Sequence, residues 1–238
     1  MSSGYMKVLS IEASGASASV ALIGASGVLA MISRTDRHGH AAWITDMVDD
    51  LMQQTETAFD AITHIAAGVG PGSFTGIRVG LAAAQGYGIA LDRPVLGLSS
   101  LEALGWSMLP SMDDHNSQVL ALTDTRRGHI FGQCFDHDKA ISDVIDLDMG
   151  GLAASIVSYH AEVPFTGLYI KGYCADEVAK HLSQAALPVM ASDEGDVDAS
   201  IIGNMAFSRL AAGMTAADYP PTPRYHSAPL LGAAKKDR

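Results

Sequence analysis

The sequence is poor in cysteine. Its 238 residues include two, Cys134 and Cys174. They form no CxxC and no spaced framework, so the thiols are expected to be reduced, in a cytoplasmic protein. Positive charge is also scarce: 15 Lys and Arg stand against 26 Asp and Glu, a net charge of −11. A surface of that sign repels phosphate backbones and anionic lipids. It excludes a dedicated nucleic-acid binder, which would carry a basic footprint. No apolar run reaches the ~18 residues of a membrane span. Residues 1–6 lack a basic segment followed by an apolar one, so no signal peptide is expected, and residues 2–5 read as an unstructured extension.

Several catalytic signatures are missing as well. The nine histidines include no HxxxH or HExxH pair. His38-Gly39-His40 cannot set two ligands on one helix face and reads as loop, so no metal site is predicted. No paired carboxylates stand out. Gly70-Pro71-Gly72-Ser73-Phe74-Thr75-Gly76 lacks the Gly-Lys-Ser/Thr ending of a Walker A loop. Nor is it a nucleophile elbow, because Pro71 and Thr75 flank Ser73 where glycines are needed.

What is present is a globular composition, 48% hydrophobic and 17% charged, long enough for one large domain or two small ones. Three short β-rich runs joined by tight turns, 7–12, 18–23 and 28–32, predict a meander. Ile44, Met47, Val48, Leu51 and Met52 recur at helical spacing and predict an amphipathic helix over 42–58. A strand over 62–69, the glycine-rich loop, a helix over 77–91 and a strand over 94–98 follow. The order β-β-β-α-β-α-β is that of the ribonuclease-H-like half of actin-like ATPases, by analogy of element order. The predicted fold is therefore α/β: a two-lobed actin-like fold with mixed sheets and a reduced second lobe. The first lobe is 1–98, the second 99–220, and 221–238 an extended, proline-bearing tail. In the second lobe, Ser99 and Glu102 have capping-box spacing. Runs 119–123 and 129–135 read as a hairpin, 152–159, 175–182 and 199–212 as helices, and 168–171 as a strand.

The glycine-rich loop is the strongest local feature. Thr75 reads as the cap of the following helix, whose free amides and Arg78 could receive an anion at Gly70, Pro71, Gly72, Ser73, Thr75 and Gly76; a plain turn is the alternative. The helix after it is nearly bare. Ile77, Leu81, Ala84, Gly88 and Leu91 make one stripe, and Val79, Ala83, Gly86 and Ala90 another. One side can meet the sheet, and the other a second helix of this chain or of a partner. Glu12 ends the first strand, and Asp124, Arg126 and Arg127 sit at a hairpin tip that could reach the first lobe. Thr222-Pro223-Arg224-Tyr225 places an aromatic beside an arginine that could dock on a surface.

Together these motifs resemble the TsaB family, also called YeaZ, the inactive paralogue of the TsaD proteins that make threonylcarbamoyladenosine in tRNA. Gly70 to Gly80 reproduces the family's GPGSFTGxRxG loop in full, and Ser99-Ser100-Leu101-Glu102-Ala103-Leu104 its SSLEAL segment. Asp124-Thr125-Arg126-Arg127-Gly128 differs from the family hairpin at one position. Glu12-Ala13-Ser14 stands where the family has Asp-Thr-Ser, and Thr222-Pro223-Arg224-Tyr225 loosely echoes its tail. The resemblance implies a cytoplasmic, non-catalytic subunit that activates a TsaD-like transferase. It implies pairing through the helices 42–58 and 77–91, with Trp43, Met47, Leu51, Val79, Ala83, Gly86 and Ala90 at the interface. A TsaE-like ATPase would join the pair, the free chain would form a homodimer, and tRNA would be met only indirectly. ATP, ADP and a metal ion would belong to the partner complex, with no cofactor held by this chain alone. A stand-alone ATPase or peptidase-like enzyme, suggested by the loop and Glu12, and a homodimeric scaffold with another client are the competing readings.

Overall fold

The computed structural model describes residues 5–35, 40–112, 114, 116–125, 128–137 and 139–226. His38, Arg126, Arg127 and the end of the tail lie outside these. The meander forms β1 (Val8–Glu12), β2 (Ala18–Gly24) and β3 (Gly27–Arg34). It is followed by α1 (His40–Gln54), β4 (His64–Gly68), α2 (Phe74–Leu91) and β5 (Val95–Leu98). These strands make one sheet in the order β3-β2-β1-β4-β5, antiparallel across the meander and parallel from β1 through β4 to β5.

The second half contains α3 (Ser100–Met108), β6 (Ser117–Asp124), β7 (Ile130–Asp136), β8 (Lys139–Ala140) and β9 (Ile145–Leu147). It continues with α4 (Met149–Glu162), β10 (Gly167–Gly172), α5 (Ala175–Gln184), β11 (Val189–Asp193) and α6 (Ala199–Ala211). Its sheet runs β11-β10-β6-β7-β8, with β9 also on β7.

Strand alternation sorts the side chains into layers. Leu9 and Ile11 of β1 and Val20 and Leu22 of β2 face α1 and α2, meeting Ile44, Met47, Val48, Leu51, Ile77 and Leu81. Burying each such side chain is worth about 1.5–3 kcal/mol. Val8, Ala21 and Ile23 point the other way, into a core shared with α3, α6, and Val119, Ala121, Phe131 and Phe135 of the second sheet. Leu120, Leu122 and Cys134 face α4 and α5 on the far side. The molecule is thus two sheets with helices between them and on both outer faces.

The predicted α/β architecture holds, with local differences. The first helix ends at Gln54 rather than 58, and a short 3-10 turn at Phe59–Ala61 follows it. The helix after the glycine loop starts at Phe74, and its cap is Ser73, whose hydroxyl accepts from Gly76 N; the predicted cap, Thr75, is already inside the helix. The strands β8, β9 and β11 were not predicted. β11 pairs with β10 through its backbone at the sheet edge and leaves most side chains exposed or half-exposed, so it shows no apolar alternation. In chain order α6 belongs to the second lobe, yet in space it returns to the first sheet. Ser10 Oγ donates to Ala199 O at 2.6 Å and Ser19 Oγ accepts from Ala199 N at 2.9 Å. A Cβ at Gly203 would meet Ile23 and Ser10 Oγ at 2.5 Å, so the crossing needs glycine there.

Candidate functional site: a sealed polar junction and an exposed helix face

Glu12 ends β1 on the face that looks into the middle layer, and it is 0% exposed. Its Oε1 accepts from Ser14 N at 2.5 Å, and Ser100 Oγ lies 3.4 Å from its Oε2. The hydroxyls of Ser14 and Ser100 are 3.0 Å apart. The carboxylate passes directly over Gly68, where a Cβ would overlap it. A like charge acts on it as well, that of Asp196, whose carboxylate receives Ala16 N at 3.0 Å. Burial, against the pull of the Ser14 hydrogen bonds and with the push of Asp196, raises the Glu12 pKa from 4.5 to about 7. The serines at 14 and 100 and the acid at 196 were missed by sequence reasoning; a lone glutamate ending an apolar strand was the only signal.

The glycine-rich loop closes over this junction. Ser73 N donates to Ser14 O and Ser100 N to Gly70 O, both at 2.8 Å. A Cβ at Gly72 would lie 2.5 Å from Ser14 O, and one at Gly76 would overlap Ala13 O. The Gly70-Pro71 peptide is cis. Of the two expectations for the loop, an anion site or a plain turn, the hydrogen bonds favour the turn: its amides at Ser73, Gly76 and Ile77 go to Ser14 O, Ser73 Oγ and Ser73 O. Arg78 is also committed. Its guanidinium sits 3.8 Å from the Phe74 ring centroid, and its Nε donates to Tyr225 OH at 2.9 Å. The loop therefore packs α2 onto the β1–β2 turn.

Of the other predicted residues, Asp124 ends β6 opposite Ile130. Ser99 caps α3 by accepting from Glu102 N at 3.4 Å, but the Glu102 carboxylate, expected to complete the capping box, instead pairs with Arg209 of α6 at 2.5 Å in a mostly buried contact. Among the described residues no group of three His, Cys, Asp or Glu side chains could hold a metal ion, and no helix is long and apolar enough to cross a membrane. Both cysteines are free, with burial pushing each thiol up to about 12, so neither is poised as a nucleophile.

The partner-helix residues divide. Met47 and Leu51 are 0% exposed, consumed by the core under α1, and cannot form a surface. Trp43 is half-buried against the same core. Val79 and Ala83 are half-buried, while Gly86 and Ala90 are exposed. A Cβ at Gly86 would meet nothing within 4 Å. Beside them Ile89, absent from the prediction, is 84% exposed. The face is therefore carried by α2, with Thr45, Asp46 and Asp49 of α1 exposed along one side.

Comparison with known proteins agrees with this architecture. Residues 28–214 match the model of the family described as TsaD: tRNA N6-adenosine threonylcarbamoyltransferase. The chain is 31% identical over 134 residues to the tRNA threonylcarbamoyladenosine biosynthesis protein TsaB of Escherichia coli, covering 56% of this chain and 57% of that one. It spans well under two thirds of the length of such curated relatives. YeaZ from Pseudomonas aeruginosa superposes with a TM-score of 0.71 at 23% identity, over 92% of this chain and 99% of that one. The ROK hexokinase of Thermus thermophilus does so at 0.55 and 10%, over 87% and 100%, which extends the likeness to actin-like kinases in fold alone. On the family match and these relatives, the chain belongs to the TsaD family and within it to the TsaB, or YeaZ, group.

Proposed function

We propose that this chain is a non-catalytic subunit of threonylcarbamoyladenosine biosynthesis in tRNA, which binds and activates a TsaD-like transferase through α2. The observation that carries this reading is the open apolar face of α2. Glycine inside a helix costs about 1 kcal/mol relative to alanine, and at Gly86 no packing within the chain offsets it. A face of small side chains lets a partner backbone approach closely, and Ile89 gives it an apolar projection. In this reading the transferase supplies the ATP and metal chemistry, a TsaE-like ATPase joins the pair, and tRNA is contacted mainly through the partners. The chain works in the cytoplasm and self-associates when alone.

The stand-alone enzyme reading would rest on Glu12, whose pKa near 7 suits a general acid or base. Its carboxylate is fully buried against Ser14, Ser100 and Gly68, which favours a structural role.

The test is to mix the purified chain with its TsaD-like transferase, measure complex formation by titration calorimetry, and follow threonylcarbamoyl transfer to tRNA. A heterodimer and raised activity are expected. Gly86→Arg, placed in open space, should leave the fold intact and abolish both. A complex that forms equally well with Gly86→Arg refutes the interface, and tight ATP binding with turnover by the chain alone favours the enzyme reading.

A further inference from the structure

The segment from Tyr219 to His226 lies along the outside of α2 and β5. Gly97 N of β5 donates to Tyr219 O and Arg224 N to Val69 O, both at 2.8 Å. Gln85 Nε2 donates to Pro221 O at 3.1 Å, and Arg78 Nε to Tyr225 OH at 2.9 Å. The Tyr225 and Phe74 rings stand 4.8 Å apart, and the His226 ring is 6.3 Å from Phe131 on the second sheet. Gly97 is bare because a Cβ would come within 2.6 Å of Pro220 O and 2.7 Å of Pro221 Cα. These contacts describe a docked strap.

Its position relative to the α2 face follows from helix geometry. At 3.6 residues per turn, Arg78 and Gln85 fall on one edge of the exposed face and Tyr87 on the opposite edge, with Ala82, Gly86 and Ile89 between them. The Tyr87 edge belongs to α1: Thr45 and Asp49 stand near its hydroxyl, which is buried without a hydrogen-bond partner among the described residues, and Phe59, just beyond α1, stacks on its ring at 6.2 Å. The Arg78–Gln85 edge belongs to the strap. The face is thus a shallow trough walled by α1 on one side and by residues 221–225 on the other.

We propose that the strap is the second wall of the docking face, touched by the same transferase partner, and that Tyr225 is the positioning residue that holds it; this rests on the reading under Proposed function. Two features support it. Pro220, Pro221 and Pro223 restrict φ, so the strap loses little entropy when a partner packs on it. Most of its side chains are exposed, so its attachment depends on few contacts, of which Tyr225 makes the densest set. The Tyr225 anchor also bears on Phe74 and Arg78, in the first turns of α2, so the strap steadies the start of the helix the partner must read.

The experiment compares the full-length chain with Tyr225→Ala and Tyr225→Phe. Hydrogen exchange is followed in the free chain and affinity for the transferase by calorimetry. Loss of an aromatic contact and a charged hydrogen bond should speed exchange over residues 70–78 and weaken partner binding, each about tenfold. Exchange over residues 167–184 should stay at the wild-type rate. Tyr225→Phe keeps the ring and should restore both quantities to within about threefold of wild type. The strap wall is overturned if Tyr225→Ala leaves exchange over 70–78 unchanged, or speeds it without weakening binding. If Gly86→Arg abolishes binding while Tyr225→Ala does not, the partner reading stands and the strap fails. If Gly86→Arg binds normally, the partner reading and the strap wall fall together, and the exchange result separately decides whether Tyr225 anchors the segment.

Discussion

Replacing Glu12 by glutamine should make the protein more stable at neutral pH, by an amount that grows with pH. The carboxyl binds its proton more tightly in the folded state, at about 7, than in the unfolded chain, at 4.5. Below 4.5 it is protonated in both states and its full contribution is present. That contribution is lost as pH rises from the unfolded value through the folded one. Above about 7 the folded protein carries an ionised, buried carboxylate and the loss is complete. A difference of about 2.5 units at 1.36 kcal/mol each sets the loss at ~3 kcal/mol. Glutamine keeps the shape and an oxygen for Ser14 N, and its amide can donate to Ser100 Oγ once that hydroxyl turns. Urea unfolding of both proteins between pH 4.5 and 8.5 isolates the effect, because every other group cancels in the difference. The two should have similar stability at pH 4.5, and the variant should gain ~3 kcal/mol by pH 8. A difference independent of pH, or a wild type that gains on the variant as pH rises, would refute a Glu12 whose burial outweighs its hydrogen bonds.

Three further outcomes follow from other parts of the molecule. Gly86→Ala should raise helix stability by about 1 kcal/mol, read as a higher midpoint in thermal unfolding, because its Cβ enters open space; a loss would mean that α2 is packed there. Arg209→Ala should cost about 2–3 kcal/mol in urea unfolding by stranding Glu102, while Arg209→Met with Glu102→Leu should recover most of it, since Arg209 Nη1 is buried without a partner even in the intact pair. The chain alone, at a net charge of −11, should give no tRNA shift in a native gel at low salt; micromolar binding would contradict the division of labour with its partners.

The first half of the fold was readable because each strand there has apolar neighbours on both faces or on alternate ones, and its turns are marked by glycine. β11 was not readable, because an edge strand held by backbone pairing places no demand on its side chains. The junction around Glu12 was unreadable for another reason. Residues 12 and 14, 68, 100 and 196 come from four separated segments, and periodicity reports which face a residue takes, not what it meets there. Only the match of bare Gly68 to bulky Glu12 encodes the contact, and neither residue announces it alone.

The docking face shows how far a helical stripe can be trusted. α1 has one apolar stripe, and the sheet consumes it: Met47 and Leu51 were assigned to a partner but lie in the core, and the residues left outside include Thr45, Asp46, Asp49 and Gln53. Apart from Arg78 and Gln85, α2 is small or apolar on every side, so its pattern permits either side to be buried. What separates the sides is surroundings. Gly88 lies against Val95 and Gly76 against Ala13 O, so those glycines admit β5 and the turn after β1, whereas Gly86 admits nothing in this chain. The same residue type thus has two causes on one helix. The one without an internal cause is where the proposed function puts a partner, which is why Gly86 is the position on which that proposal should be tested first.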